Sequence, residues 1–269
     1  MDQNILGLAG KPALVIGGGF GMGKESVLLL ARAGANVALA DIIEERAHAA
    51  AKEVEAHGVR ALALTGDVTD MKTAERIVDQ TVAFHGGLEV LINMVGMATW
   101  NELMDTDEDA WEQQMMINLR HHLYIGRAAA KQMIKQGKGG RMAFVASVSG
   151  IYGAPLHGAY GAAKAGLMSL TRTMANEWGR YNIRVNAVAP DVISTPRHPG
   201  SMTPEQAQRE GVLLGRMGKP EEIAGALVYF VSDLSSFVTG QTLIVDGGVH
   251  AAFPHFMGIQ AAFQRSKQS

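Results

Sequence analysis

The sequence predicts an α/β protein with one doubly wound domain, in which helices cover both faces of a seven-stranded parallel sheet. Short apolar runs alternate with longer segments of helical periodicity along the whole chain. The apolar runs are continuous, as in parallel strands that are buried on both faces. The length of 269 residues is one that such a domain fills as a single unit.

Each element is predicted from its own stretch of sequence. The first apolar run ends at a glycine-rich loop, and a helical pattern follows it at 21–33. Strand and helix then alternate with right-handed crossovers, which builds one open sheet. The predicted strands are residues 13–16, 36–40, 60–65, 89–92, 141–146, 183–189 and 242–246, and the predicted helices are 21–33, 44–57, 71–84, 107–135, 157–179 and 221–231.

Charge and composition exclude several classes of protein. Lys and Arg number 24 against 26 Asp and Glu, and the net charge of −2 gives no field that would attract nucleic acid or an anionic membrane. The absence of cysteine excludes disulfides, thiolate metal sites and cysteine nucleophiles. We predict no metal site. The first residues lack a secretory signal and no apolar run is long enough to span a membrane, so we expect a cytoplasmic protein.

Two segments fall outside the regular alternation. Residues 191–214 contain three prolines and mixed polarity, which predicts a functional lid over a binding site. The extension at 249–269 carries Phe253, Phe256, Met257 and Phe263, and we expect it to pack on a neighbouring surface. The whole chain, 1–269, is predicted to be one domain.

The glycine-rich loop predicts a dinucleotide site of the Rossmann type. Gly17, Gly21 and Gly23 follow the first strand, where a sharp turn lets the backbone approach a pyrophosphate at a helix N-terminus. Asp41 ends the second strand, where an acid binds ribose hydroxyls and repels a 2′-phosphate. Phe20 supplies no cation for such a phosphate. The prediction is therefore NAD, although a glycine turn and a capping acid also occur as purely structural features.

Three residues whose side chains could take part in a reaction follow in the second half of the chain. Tyr160 and Lys164 are four residues apart, hence on one face of a helix. A neighbouring ammonium favours the phenolate form of a tyrosine, whose pKa is otherwise roughly 10. Ser147 lies thirteen residues before the tyrosine, at the end of the fifth strand. Individually, such residues are more often surface pairs and turn caps.

With these residues the chain resembles the classical form of the short-chain dehydrogenase/reductase family over nearly its whole length. The resemblance implies that Tyr160 exchanges a proton with an alcohol or carbonyl, Ser147 holds the substrate oxygen, Lys164 also binds the nicotinamide ribose, and Asn118 positions a relay water. It also implies a homotetramer formed through the two long helices and through the last strand with its helix. The motifs that carry it are the glycine loop, GDV at 66–68, NMVG at 93–96, Asn118, Ser147, YGAAK at 160–164, NAVAP at 186–190 and IVDGG at 244–248.

The same resemblance implies a set of cofactor-binding positions. Asp67 and Val68 would flank the adenine, and residues 93–96 would lie beside its ribose. The segment after Pro190 would contact the carboxamide. The complete predicted set is Gly17, Phe20, Gly21, Met22, Gly23, Asp41, Asp67, Val68, Asn93, Gly96, Tyr160, Lys164, Pro190, Ile193 and Thr195.

The chain departs from the family pattern at several positions. Ile16 replaces a threonine, and Met94 and Val95 replace Asn and Ala, so we expect packing in place of a hydrogen bond. Asp191 replaces a glycine after Pro190, which is either a turn substitution or a polar contact to the substrate. The adjacent His121 and His122 are interpreted as helix surface or a subunit contact.

The expected substrate pocket is apolar and rich in methionine. We therefore predict a hydride exchange between NAD and a hydrophobic secondary alcohol or ketone, with alicyclic and steroid-like molecules as candidates. Two alternatives stay open, a 3-oxoacyl carrier-protein reductase and a non-catalytic dinucleotide-sensing protein. The predicted pocket residues are Met97, Trp100, Ile151, Tyr152, Leu156, Val192, Met202 and Phe256.

Overall fold

The computed structural model describes residues 4–252 and contains one sheet of seven parallel strands. The strand order is β3-β2-β1-β4-β5-β6-β7, and all neighbouring pairs run parallel. Because the order reverses between β1 and β4, a crevice opens at the carboxyl ends of these strands. The strands are β1 Pro12–Ile16, β2 Asn36–Asp41, β3 Ala61–Thr65, β4 Val90–Asn93, β5 Gly140–Val145, β6 Ile183–Pro190 and β7 Thr242–Val245.

Eight α-helices are described, and most of them connect consecutive strands. The fold class predicted from the sequence is confirmed, and each strand boundary agrees with its prediction to within one residue. The helices are α1 Gly21–Arg32, α2 Glu44–Glu55, α3 Met71–His85, α4 Glu108–Met115, α5 His121–Gln136, α6 Gly158–Trp178, α7 Pro204–Glu210 and α8 Pro220–Val231.

The sheet is buried on both faces, which explains its continuous apolar strands. Alternate residues of β1 belong to opposite layers: Leu14 and Ile16 pack with α3, α5 and α6, whereas Ala13 and Val15 pack with α1, α2 and α8. All four are at most 1% exposed. Because successive side chains of a strand point to opposite faces, both positions of the alternation have to be apolar here.

The structure differs from the prediction in two places. The single helix predicted at 107–135 is interrupted by a π-helical turn, Met116–Arg120, between α4 and α5. The segment 191–214, predicted as irregular, contains the short helix α7. Periodicity does not reveal a π turn, because one additional residue in a turn leaves the apolar spacing on either side unchanged.

Two expectations concern residues beyond those described. The predicted extension lies outside the described residues from position 253 onward, and with it the pocket candidate Phe256. Within residues 4–252, no helix has both the length and the apolar composition that a membrane crossing requires.

Candidate active site

A cavity of about 1020 Å³ lies at the carboxyl ends of the strands and collects most of the predicted site residues. Three of them, Asn93, Asn118 and Lys164, lie behind its wall and support residues that line it. The predicted residues on the wall itself are Gly17, Phe20, Gly21, Met22, Gly23, Asp41, Asp67, Val68, Gly96, Ser147, Tyr160, Pro190, Ile193 and Thr195.

The glycine loop joins β1 to α1 at one end of the cavity. Gly17 and Gly21 have φ angles of +79° and +53°, a region that side-chain-bearing residues rarely adopt. A Cβ at Gly23 would overlap the carbonyl oxygen of Gly17. Phe20 precedes α1 without a side-chain cap, so amides of the first turn are available to a phosphate group. The loop therefore has the form that holds a dinucleotide pyrophosphate.

Asp41 is fixed at the end of β2 beside this loop. Its carboxylate accepts hydrogen bonds from the amides of Gly19, at 3.1 Å, and Ile43, at 3.0 Å. A carboxylate has further lone pairs that a ribose hydroxyl can use. The position and chemistry of Asp41 fit the adenosine ribose of a dinucleotide.

The sequence interpretation missed a cation at the same end of the cavity. The guanidinium carbon of Arg46 lies 4.4 Å from the centre of the Phe20 ring, and Arg46 also lines the cavity. It belongs to the first turn of the α2 helix rather than to the strand end or the glycine loop, the two places where a basic residue would indicate a phosphorylated ribose. Motifs of fixed spacing do not reveal this residue, because Arg46 reaches the glycine loop from a different helix.

Tyr160, Lys164 and Ser147 come together at the other end. The Lys164 ammonium nitrogen lies 5.6 Å from the centre of the Tyr160 ring and donates to the carbonyl oxygen of Val145 at 2.8 Å. The Ser147 hydroxyl accepts from the amide of Ser149 at 3.2 Å and hydrogen-bonds the Tyr160 phenol. The end of β5 and one face of α6 thus bring a phenol, a hydroxyl and an amine close together.

The pKa values of this group differ from the sequence expectation. Burial raises the pKa of Tyr160, and the hydrogen bond from Ser147 only partly opposes this rise. Burial also lowers the pKa of Lys164 to about 7. In the protein alone, burial therefore outweighs the expected effect of the ammonium on the tyrosine pKa, since removing both groups from water disfavours both charged forms.

Asn118 lies in the π turn and supports the loop that follows β4. Its side-chain oxygen accepts from the amide of Met97 at 2.9 Å, and its amide donates to the Met97 carbonyl at 3.0 Å. A second bond joins that amide to the Gln114 side chain at 3.0 Å. A Cβ on Gly96 would lie 2.8 Å from the Asn118 oxygen and 2.9 Å from the Lys164 nitrogen. The wide turn thus places Asn118 beside Gly96 and Lys164.

His121 and His122 are not surface residues, and that interpretation is wrong. Both are 0% exposed, and their Nδ1 atoms lie 3.3 and 3.0 Å from the side-chain nitrogen of Asn93. Burial, with Lys164 nearby, lowers the pKa of His121 to about 3, and the pKa of His122 is also lowered. The π turn rotates the start of α5 so that both rings face inward, and the oxygen of Asn93 accepts from the Val95 amide at 3.2 Å.

Packing occupies the positions where the family pattern has polar residues. Ile16 is 1% exposed, while Met94 and Val95 lie against Gly17, where a Cβ would be 3.4 and 3.2 Å from their side chains. Met94 also approaches Gly23 through its sulfur. These apolar contacts press the loop after β4 against the glycine loop, as the sequence predicts.

Only part of the predicted substrate pocket lines the large cavity. Met97, Trp100 and Val192 do so. Met202 lines a smaller cavity of about 80 Å³ instead. Ile151, Tyr152 and Leu156 do not line the large cavity and are 37–43% exposed. Ser149 and His157, the two ends of the predicted pocket segment 149–157, also line the cavity, as do Arg197 and His198 of the predicted lid. Met217 lines it from outside every predicted segment. Among residues 4–252, no cluster of His, Asp and Glu could hold a metal ion.

Comparison with known proteins agrees with this geometry. A family model described as "Enoyl-(Acyl carrier protein) reductase" matches residues 18–250. The chain is 38% identical over 245 residues to the 3-oxoacyl-[acyl-carrier-protein] reductase FabG of Thermotoga maritima, covering 90% of this chain and 98% of that protein. It is 37% identical over 244 residues to the cyclopentanol dehydrogenase of a Comamonas species, covering 90% and 97%.

A similar architecture is known from solved structures. A short-chain type dehydrogenase/reductase from Mycobacterium marinum matches with a TM-score of 0.84 and 32% identity, over 93% of this chain and 99% of that one. Fold, cavity and comparisons define the class of this protein, an oxidoreductase that uses a nicotinamide dinucleotide. The chain belongs to the short-chain dehydrogenase/reductase family, as its motifs predict.

Proposed function

We propose that this protein is an NAD-dependent dehydrogenase of hydrophobic secondary alcohols, and a reductase of the corresponding ketones. The observation that carries the proposal is the grouping of Ser147, Tyr160 and Lys164 at one end of a cavity whose other end is the glycine loop. A dinucleotide lying between the two ends would bring its nicotinamide beside Tyr160.

The residues of the chain would divide the reaction as follows. Ser147 binds the substrate oxygen and orients it toward the phenol. Tyr160 accepts the hydroxyl proton during oxidation and returns one during reduction. Lys164 stabilises the phenolate once it forms. Bound NAD supplies the acceptor for the hydride.

The choice of NAD rests on Asp41. Its carboxylate is anchored by two backbone amides, so it cannot easily turn away from a 2′-phosphate, which it would repel. Arg46 is the opposing influence, because its guanidinium lies close enough to the loop to attract such a phosphate. We expect the fixed carboxylate to prevail.

The choice of substrate rests on the walls of the cavity. Met97, Trp100, Val192 and Met217 present apolar surface around the reacting end, which suits an alicyclic or steroid-like molecule. The test is the formation of NADH from NAD with a panel of cyclic alcohols. Turnover of small polar sugars alone would reject the hydrophobic pocket.

A second candidate is reduction of a 3-oxoacyl group on a carrier protein. Arg197 and His198 line the cavity, where they could contact the phosphate of a pantetheine arm. A relative with that name is 38% identical. Comparing acetoacetyl-CoA and NADPH with a cyclic alcohol and NAD distinguishes the two candidates. A protein that binds NAD and turns over neither pair would be the dinucleotide-sensing alternative.

Three further expectations accompany the proposed activity. Residues 1–269 would act as one domain, with 191–214 as a lid over the substrate. The long helices and the last strand would form a homotetramer, which light scattering measures directly. The site of action would be the cytoplasm.

A further inference from the structure

A second polar pair lies beside Tyr160, and the hydride chemistry does not use it. The Ser149 hydroxyl oxygen is 3.1 Å from Nδ1 of His157. The imidazole meets the Tyr160 ring at its edge, with centroids 5.3 Å apart. Ser149, His157 and Tyr160 all line the large cavity. The reacting end therefore contains more hydrogen-bonding capacity than a single substrate oxygen requires.

The position of His157 is fixed from several sides. The amide of Asn101 donates to the Leu156 carbonyl at 3.0 Å, and residues 101 and 157 form a β-bridge. The Trp100 ring covers the imidazole, with centroids 4.2 Å apart. The ring is thus held between an indole and the proposed catalytic phenol. Such an arrangement is typical of a binding group whose geometry is set before the ligand arrives.

One nitrogen of this ring has no partner. Nε2 of His157 is buried and makes no hydrogen bond within residues 4–252. Burial lowers the pKa of His157, which favours the neutral form of the ring. If Ser149 donates to Nδ1, Nε2 carries the proton and is a donor, and in the other tautomer it is an acceptor. Leaving such a buried group unpaired is unfavourable, and a hydrogen bond to a ligand oxygen would offset that cost.

We propose that His157 binds a second substrate oxygen, on the carbon next to the one that reacts. This rests on the proposed function and specifies its substrates as vicinal diols and α-hydroxy ketones on an otherwise apolar skeleton. Because His157 contacts Tyr160, two oxygens paired with these residues have to be close together, as they are on adjacent carbons. The reacting carbon gives its hydride to NAD and its hydroxyl proton to Tyr160, while the second oxygen is unchanged.

The first test uses the unaltered protein. NADH formation is measured with cyclopentanol and with cis- and trans-1,2-cyclopentanediol. Each diol carries one more hydroxyl than cyclopentanol, on the adjacent carbon. We expect kcat/KM to be at least about tenfold higher for one of the diols. Equal or lower values for both diols would overturn the inference and leave the proposed function intact. Absence of NAD-dependent turnover with all three alcohols would instead contradict the proposed function.

The second test assigns the preference to His157. His157→Phe should bring the diol-to-cyclopentanol ratio of kcat/KM to about 1, whereas His157→Gln, whose amide can replace Nε2, should keep part of it. The control is His48→Phe, a histidine exposed on α2, which should leave the ratio unchanged. A His157→Phe protein that retains the preference would overturn the assignment. If His157→Phe does not fold, Ser149→Ala and His157→Leu take its place. Loss of the diol preference in either variant supports the assignment to His157, and retention of the preference in both rejects it.

Discussion

The ammonium of Lys164 lies 5.6 Å from the centre of the Tyr160 ring, one helical turn along α6, and donates to a backbone carbonyl of β5. The amine is therefore fixed by the sheet rather than by the tyrosine. Its lowered pKa and the raised pKa of Tyr160 have the same cause, burial. The two groups lie close together and are largely removed from water, so a charge on either one strongly affects the other.

Removing the phenol should stop the chemistry and spare binding. We expect Tyr160→Phe to lower kcat by at least about 10²-fold, because the proton has no other acceptor at that position. Binding of NADH, followed by its fluorescence, should change little. The control is Tyr181→Phe, since the Tyr181 ring is 40% exposed at the surface. The kcat of this variant should equal that of the unaltered protein. A Tyr160→Phe enzyme with its full rate would refute the assignment.

Replacing the acid at the end of β2 should relax cofactor choice. Asp41→Ser removes the carboxylate that opposes a 2′-phosphate, and Arg46 then supplies the only nearby attraction that we identify among the described residues. We expect kcat/KM for NADP to rise about tenfold or more relative to NAD. The double variant Asp41→Ser with Arg46→Ala should lose most of that gain. Unchanged discrimination in the single variant would contradict a ribose-binding role for Asp41.

A methyl group at Gly96 should disturb the site from behind. The added Cβ would lie within 3 Å of both the Asn118 oxygen and the Lys164 nitrogen, so one of these groups has to move. We expect Gly96→Ala to lower the free energy of unfolding by about 1–3 kcal/mol and to reduce kcat. Gly153→Ala is the matched control, because its Cβ would have no atom within 4 Å. Equal activity and urea midpoints for the two variants would count against this packing.

The buried histidines should make the protein sensitive to acid. Their pKa values are lower in the folded protein than in the unfolded chain, to about 3 for His121. Each then gains a proton only on unfolding, so stability falls as the pH drops below about 6.5, and for His121 it continues to fall until about 3. Between pH 7 and 5.5 we expect a loss of about 1 kcal/mol for each histidine.

The measurement is the free energy of unfolding in urea across this pH range. His121→Asn should reduce the slope of stability against pH, while His48→Asn, on the exposed histidine of α2, should not. A slope that is the same in all three proteins would show that His121 does not titrate in this way.

How far the sequence predicts this protein differs between its parts. The strands were located to within one residue, because a sheet buried on both faces requires continuous apolar runs that turn residues interrupt. The pair Tyr160 and Lys164 was identifiable because four residues make about one helical turn. The π turn at Asn118 and the inward direction of His121 were not, since one additional residue in a turn changes which side chains face the core without altering the local composition.

By itself, therefore, the sequence determined the order of strands and helices along the chain, the glycine loop and the residue types capable of proton transfer. Each of these depends on residues that are close together in the sequence. Only the tertiary structure decided which of these groups are removed from water and which distant ones meet. Arg46 over Phe20, His157 between Trp100 and Tyr160, and the raised pKa of Tyr160 are all of this kind. They depend on contacts between loops that follow different strands, and local spacing does not encode which loops come together at one edge of a sheet.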